Sequence, residues 1–133
     1  MKIVGAVARY LLGLMFLVFG LNDFLNFIPM GPIPPGQAGA FFTVLTETHY
    51  VFAVGAVMAI SGILFLINRF VPLGLVLLGP VLFNILIFHI VMLPKTIGMG
   101  IFATLLWFLV FWQHRAAFDR LFEARYRAEM PRG

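Results

Sequence analysis

Residues 71–94 read VPLGLVLLGPVLFNILIFHIVMLP, a run that contains no Lys, Arg, Asp or Glu. A helix needs about 20 apolar residues to cross a hydrocarbon core of roughly 30 Å. The run exceeds that length, and Pro72 suits a first helical turn, where its missing N–H would have no partner in any case. The stretch therefore predicts a transmembrane helix over residues 71–94.

Three further apolar segments meet the same length criterion, and only helices or closed barrels satisfy their backbone hydrogen bonds inside a bilayer. The four predicted spans cover about residues 3–28, 50–68, 71–94 and 97–113. Of the 133 residues, 62% are hydrophobic and 11% are charged, whereas soluble domains carry about 25% charged residues. We therefore expect an all-α protein whose residues 1–113 form one four-helix transmembrane bundle.

Two segments outside the spans have the composition of surface helices. The link after span one begins with PMGPIPPGQAG (residues 29–39), which cannot continue a helix, and goes on as AFFTVLTETHY (residues 40–50). This second piece predicts a short interfacial or re-entrant helix. Residues 114–133 form a basic amphipathic cytoplasmic tail, whose predicted helix lies along the headgroups with these side chains on one face: Phe118, Leu121, Phe122 and Tyr126.

The basic residues predict the orientation of the spans. An even number of spans places both termini and the turn at 68–71 on one side, where Arg9 is expected to snorkel to water. That side holds all the Lys and Arg residues except Lys95, namely Lys2, Arg9, Arg69, Arg115, Arg120, Arg125, Arg127 and Arg132. Both termini are therefore expected in the cytoplasm. The basic residues lie at the ends of apolar segments, which favours lipid headgroups over nucleic acid as their partner.

The chain contains no cysteine, which excludes thiolate nucleophiles, disulfide exchange and cysteine-ligated clusters. It also has no haem-ligand pair and no flavin fingerprint, so a redox role requires a partner protein or a diffusible quinone. The ionisable residues near the outer end have no recognisable metal-ligand spacing. We expect neither a metal site nor an independent catalytic activity.

Polar side chains interrupt two of the predicted spans. Span one carries Asn22, Asp23 and Asn26, and span three carries Asn84 and His89. Counted from about residues 5 and 72 on the cytoplasmic side, Asn22 and His89 both lie about 17 residues into their spans, or roughly 25 Å along the helix. Asn22 and Asn26 also share a helix face at i,i+4. These positions predict a polar cluster near the outer leaflet that binds a ligand or ties helices together: Asn22, Asn26, Asn84 and His89.

Each polar residue has a structural interpretation beside the functional one. Asn84 could bridge helices or compensate the Val76 carbonyl, which Pro80 leaves without its helical donor. His89 could donate to or accept from a quinone carbonyl, or it could simply join two helices. Three further residues at the outer end could act as proton or lid groups or be solvated surface: Asp23, Glu47 and His49.

The chain resembles the DoxX family of small bacterial membrane proteins over about residues 8–113. The resemblance rests on three stretches, RYLLGLMFLVFGLNDFLNFIP (9–29), AFFTVLTETHYVF (40–52) and RFVPLGLVLLGPVLFNILIFHIVMLP (69–94). The corresponding motif positions are Gly20, Leu21, Asn22, Arg69, Phe70, Pro72, Pro80, Asn84 and His89. In one departure, many relatives have a glutamate in span two where this chain has Val57, Met58 and Ala59.

The resemblance implies a four-helix bundle in the bacterial inner membrane. Some family members are named as the small membrane subunit of thiosulfate:quinone oxidoreductase, and others as partners of detoxifying enzymes. We therefore hypothesise an accessory subunit of a membrane redox system, in which the polar cluster binds a quinone-type headgroup and a redox-enzyme partner supplies electrons. Two alternatives stay open: a scaffold or assembly protein, alone or as a homo-oligomer, and, less favoured, a small-solute or ion transporter.

Overall fold

The computed structural model describes residues 2–29, 31–125 and 128. Its α-helices are α1 (Lys2–Leu25), α2 (Gly36–Glu47), α3 (Tyr50–Ile67), α4 (Val71–Met92) and α5 (Gly98–Gln113). Short 3-10 segments follow α4 at Pro94–Thr96 and α5 at Arg115–Phe122. No strand occurs within these described ranges, which confirms the all-α class predicted from the sequence.

Three helices, α1, α3 and α4, are long and apolar enough to cross a membrane. With 16 residues, α5 is about 24 Å long, and it meets the criterion only together with the segment Arg115–Phe122, which bends away from it by 84°. The described part of the chain thus contains three candidate spans, or four when the bent pair counts as one. These apolar helices support a membrane-spanning protein.

The helices α1, α3, α4 and α5 pack around a common core in that cyclic order. α1 packs mainly on α3 and also on α5, while α4 packs between α3 and α5. The short helix α2 packs on α3 and α4. This order places α1 and α4 at opposite corners of the bundle.

Glycines let α1 and α3 approach each other closely. A Cβ atom at Gly20 of α1 would lie 2.6 Å from the carbonyl oxygen of Gly55 in α3. One at Gly62 of α3 would lie 2.7 Å from the carbonyl oxygen of Gly13 in α1. Both distances are too short for a real side chain, so this interface depends on the absence of Cβ atoms.

The core is filled by side chains from all four of these helices. Its most buried members are Leu12 of α1, Phe65 of α3, Leu75 and Leu78 of α4, and Val110 of α5. Trp107 of α5 adds a directional contact, because its indole N–H donates to the carbonyl oxygen of Leu75 at 3.1 Å. The α4–α5 contact is therefore held by a hydrogen bond as well as by packing.

The observed helix ends correct several predicted boundaries. α1 ends at Leu25 rather than near residue 28, because Asn26 adopts a left-handed conformation with φ of 51°. α2 begins at Gly36, before the predicted start at residue 40, and ends at Glu47. α4 ends at Met92, and a 3-10 turn separates it from α5.

The start of the tail folds differently from the predicted amphipathic α-helix. Arg115–Phe122 is a 3-10 segment, in which Phe118 is buried with its ring 5.0 Å from that of Phe111. Leu121 and Phe122 do not share this burial, with 71% and 78% of their surface exposed. Tyr126 lies outside the described residues.

Candidate functional site

Asn22, near the end of α1, holds the following loop in place. It is 4% exposed, and its Oδ1 accepts a hydrogen bond from the backbone N–H of Ile28 at 2.7 Å. Its Nδ2 donates to the Ile28 carbonyl oxygen at 3.5 Å, a long and weak contact. Both polar atoms of the side chain therefore bind the backbone of the loop that follows its own helix.

The neighbouring polar residues of α1 face different surroundings. Asn26 is exposed, and it no longer shares a helix face with Asn22 because the helix has ended before it. Asp23 is half-buried against α3, where a Cβ atom at Gly55 would lie 2.7 Å from the Asp23 Cβ. The carboxylate of Asp23 therefore lies at the α1–α3 contact.

On α4, both polar residues bond to their own helix. Asn84 is exposed, and its Nδ2 donates to the Pro80 carbonyl oxygen at 2.8 Å. The amide therefore does not supply the donor that the Val76 carbonyl oxygen lacks because of Pro80. Nδ1 of His89 lies 2.8 Å from the carbonyl oxygen of Ile85. Because a carbonyl only accepts, Nδ1 donates in this contact, and in the neutral form of the ring Nε2 is then an acceptor.

The predicted polar cluster is not assembled by direct contacts. Asn22 and Asn26 lie at the end of α1, whereas Asn84 and His89 lie on α4 at the opposite corner of the bundle. Among the residues that the structure describes, no side-chain hydrogen bond connects any two of these four, and Asn22 and Asn26 are joined through the backbone alone, where the Asn26 N–H donates to the Asn22 carbonyl oxygen at 2.9 Å. Equal depth along two helices does not make those helices neighbours, and ligand binding by any of the four stays a prediction.

Glu47 and His49 are exposed at the turn between α2 and α3. His49 has a left-handed backbone with φ of 62°, and its Nδ1 donates to the Glu47 carbonyl oxygen at 3.2 Å. Its ring meets Phe52 edge-on at 5.0 Å between centroids, and Phe52 stacks on Phe24 of α1 at 4.9 Å. His49 therefore belongs to an aromatic group between α1 and α3.

His89 belongs to a separate aromatic group between α2 and α4. Its ring meets Phe88 edge-on at 5.2 Å between centroids, and Phe88 packs on Phe41 of α2 at 5.6 Å. The side chain of His89 is half-buried there. In the described part of the chain, no hydrogen bond or ring contact links His89 to Glu47 or His49.

Arg9 is the polar residue whose placement the sequence did not indicate. It is 8% exposed, its guanidinium donates to the Phe65 carbonyl oxygen at the end of α3, and it lies over the Tyr10 ring at 4.4 Å. The sequence predicted that this side chain snorkels toward water, whereas the structure turns it between the helices and leaves it largely buried. Carbonyls in the last turn of a helix lack intrahelical donors, which makes such an oxygen a ready acceptor for a nearby guanidinium.

No three His, Asp or Glu side chains come together as a metal-binding group anywhere in residues 2–29, 31–125 and 128.

No family model matches the chain, and comparison with curated proteins and with solved structures finds no significant match.

Proposed function

We propose that this DoxX-like protein is a non-catalytic accessory or assembly subunit that binds a partner helix through the exposed face of α4. The observation that carries this proposal is the position of Asn84. Its polar side chain lies in the middle of an apolar membrane helix and is exposed on the outside of the bundle. Polar residues within spans are rare and face protein or water far more often than lipid.

α4 is also the least buried of the three long helices. Only 17% of its most apolar stretch is buried inside the bundle, against 39% for α1 and 33% for α3. Its exposed side includes Val76, Pro80, Phe83, Asn84 and Ile87, which follow one another at helical spacing. A partner helix on this side would cover Asn84 together with a continuous apolar stripe.

The exposed side of α4 offers hydrogen-bond acceptors that lipid cannot satisfy. Pro80 has no N–H for the Val76 carbonyl oxygen, and the Asn84 amide nitrogen is directed to the Pro80 carbonyl oxygen, which leaves Oδ1 as an acceptor. A partner helix that presents a Ser, Thr, Asn or Gln donor would fit this surface. Each such bond between membrane helices contributes about 0.6 kcal/mol on average.

The remaining features of the proposal follow from charge and shape. We place four spans in the bacterial inner membrane, as the family resemblance implies. Both termini are placed in the cytoplasm, because every Lys and Arg of the sequence except Lys95 falls on that predicted side. The 84° bend after α5 would lay Arg115–Phe122 across the membrane surface, with Leu121 and Phe122 exposed toward it. The partner is a membrane protein, such as a redox enzyme, or a second copy of this chain.

Site-specific photocrosslinking in native membranes tests this function. A photoreactive residue replaces Phe83 on the exposed face of α4, and the matched control replaces Phe108, an exposed phenylalanine of α5. We expect one polypeptide adduct, identified by its mass, from position 83 and not from 108. The adduct yield should fall by about threefold in an Asn84→Leu background, the change that corresponds to the loss of one such bond. Lipid adducts at both positions, or a protein adduct that Asn84→Leu leaves unchanged, would contradict the proposal.

A quinone-type ligand at His89 is a second candidate function, which would make the chain a subunit of a redox system. It is favoured by the acceptor Nε2 of a half-buried ring beside Phe88 and Phe41. A quinol hydroxyl could donate to this nitrogen, whereas a quinone carbonyl could not accept from it in this tautomer. The aromatic neighbours would pack on the headgroup.

Photolabelling with a quinol analogue distinguishes this second function from the first. Labelling should fall in His89→Phe and persist in His49→Phe, which removes an exposed histidine of the α2–α3 turn. Equal labelling of the two variants would count against a site at His89. The outcome of this labelling experiment is independent of the photocrosslinking result at position 83.

A further inference from the structure

A basic hollow opens at the end of the bundle that holds the start of α1. Its volume is about 340 Å³, and it lies between α1, the α3–α4 turn and the end of α5. The residues that line it are Lys2, Ala6, Arg9, Asn68, Gln113 and His114. Three helix ends therefore contribute polar side chains to one space.

Among the described residues that line it, the hollow has the cations Lys2 and Arg9 and no acidic side chain. Arg9 is 8% exposed, and across the described residues its polar contacts are the Phe65 carbonyl oxygen and the face of the Tyr10 ring. A buried cation is costly unless an anion or several hydrogen bonds compensate it. A guanidinium has five N–H donors, so Arg9 can hold Phe65 and still bind an anion.

The walls of the hollow add further groups suited to an anion. Lys2 supplies a second cation at the rim, and Asn68 supplies an amide. His114 donates from Nδ1 to the Val110 carbonyl oxygen at 2.9 Å, which fixes the ring in the wall. The side-chain amide of Gln113 fills the space that a Cβ at Gly5 would occupy, so α5 lies directly against α1 beside the hollow.

Asp119, an acidic residue at this end of the bundle, lies in a neighbouring hollow. Asp119 lines that space together with Arg115, and Gln113 forms part of both walls. An anion would therefore meet a carboxylate on one side of Gln113 and a group of cations without one on the other. The charges direct the anion to the side of Arg9 and Lys2.

We propose that this hollow binds a phosphate group between Arg9, Lys2 and the polar end of α5. Arginine and lysine are the side chains best suited to phosphate oxygens, and basic pockets between membrane helices bind lipid headgroups. The phosphate belongs to an anionic phospholipid or to a small soluble phosphate. The site is separate from the partner surface on α4 and does not depend on it.

Native mass spectrometry of the purified full chain in detergent tests the site. One arm titrates phosphatidylglycerol, the second titrates phosphatidylcholine, and the third adds glycerol phosphate as a soluble competitor. We expect phosphatidylglycerol adducts to form at lower concentration than phosphatidylcholine adducts if lipid supplies the phosphate. Selective adducts of glycerol phosphate would support the same site with a soluble ligand.

Variants distinguish phosphate binding in this hollow from a general electrostatic attraction to the basic end of the bundle. Lys2→Gln and Arg9→Gln should each weaken phosphate binding by about fivefold, the value expected for one cation near a phosphate. Arg69→Gln removes a cation from the α3–α4 turn at the same end but outside the hollow, and should leave binding unchanged. If Arg9→Gln does not fold, the comparison of Lys2→Gln with Arg69→Gln tests the proposal.

The proposal is overturned if neither phosphate source binds, or if Lys2→Gln and a folded Arg9→Gln bind as the original chain does. It is also overturned if Arg69→Gln weakens binding as much as Lys2→Gln does. That result would assign the affinity to the net charge of the surface.

Discussion

The guanidinium of Arg9 donates a hydrogen bond to the backbone carbonyl oxygen of Phe65, which joins the first half of α1 to the last turn of α3. The same oxygen accepts from the Asn68 N–H at 3.3 Å, so it anchors the end of α3 as well. This side chain contact supplements the glycine-mediated packing of the same two helices.

Replacing Arg9 by Leu should destabilise the bundle. The Phe65 carbonyl oxygen would lose a charged donor, and hydrogen bonds to charged groups contribute about 1.5–3 kcal/mol to the free energy of unfolding. Reversible unfolding in detergent, followed by circular dichroism, measures the change. Arg69→Leu is the control because Arg69 is exposed. Equal stability of the two variants would contradict a structural role for Arg9.

Gly20→Ala should loosen the contact between α1 and α3. The new Cβ would lie 2.6 Å from backbone atoms of both Gly55 and Ala59, which cannot rotate away as a side chain could. We expect a loss of about 1–3 kcal/mol in the free energy of unfolding, typical of overpacking. Thermal unfolding checks this against Gly98→Ala, whose Cβ would have no neighbour within 4 Å. The prediction fails if the two alanine variants melt alike.

Asn22→Ala should release the loop after α1 without unfolding the bundle. The Ile28 N–H would lose its acceptor, at a cost of about 0.5–1.5 kcal/mol. Hydrogen exchange should therefore become faster at the Ile28 amide. Asn26→Gly is the control, because glycine readily adopts the left-handed conformation found there. Unchanged exchange at Ile28 in Asn22→Ala would show that the hydrogen bond does not hold the loop.

Ser61→Ala should leave stability unchanged or raise it. Ser61 is 0% exposed, and within the described residues its Oγ has no hydrogen-bond partner. Burying an unpaired hydroxyl costs about 1–3 kcal/mol in proteins, so its removal relieves that cost. Thr104→Ala is the comparison, because the Thr104 Oγ1 donates to the Gly100 carbonyl oxygen at 2.7 Å. A lower melting temperature for Ser61→Ala than for Thr104→Ala would refute this.

The helical architecture could be predicted because apolar runs of this length have few alternatives in a bilayer. Pro72 and the turn before it placed the start of α4 correctly at Val71. Residue depth was also a simple count along each helix. Such counts could not predict which helices are neighbours, because the cyclic order of the helices depends on close contacts such as that of Gly20 with Gly55.

Local backbone geometry explains most of the remaining differences. Asn26 was expected to extend the face of Asn22, but an asparagine can end a helix by adopting a left-handed conformation. Arg9 was expected to reach toward water because it lies near a helix start, whereas its guanidinium turns inward to the carbonyl oxygen of Phe65 in the last turn of α3. In both cases the deciding feature is the backbone, as the conformation of Asn26 and as the carbonyl group that Arg9 contacts, and a pattern of side chains does not reveal it.

The turn between α3 and α4 has a consequence for biogenesis. Asn68 and Phe70 both have φ of 55°, an unfavourable geometry for a bulky residue such as Phe70. Residues 68–70 span at most about 10 Å, far less than the thickness of the hydrocarbon core. The helix ends that meet in this turn therefore stay at one face of the bilayer, so α3 and α4 would enter it in opposite directions as the two arms of one hairpin.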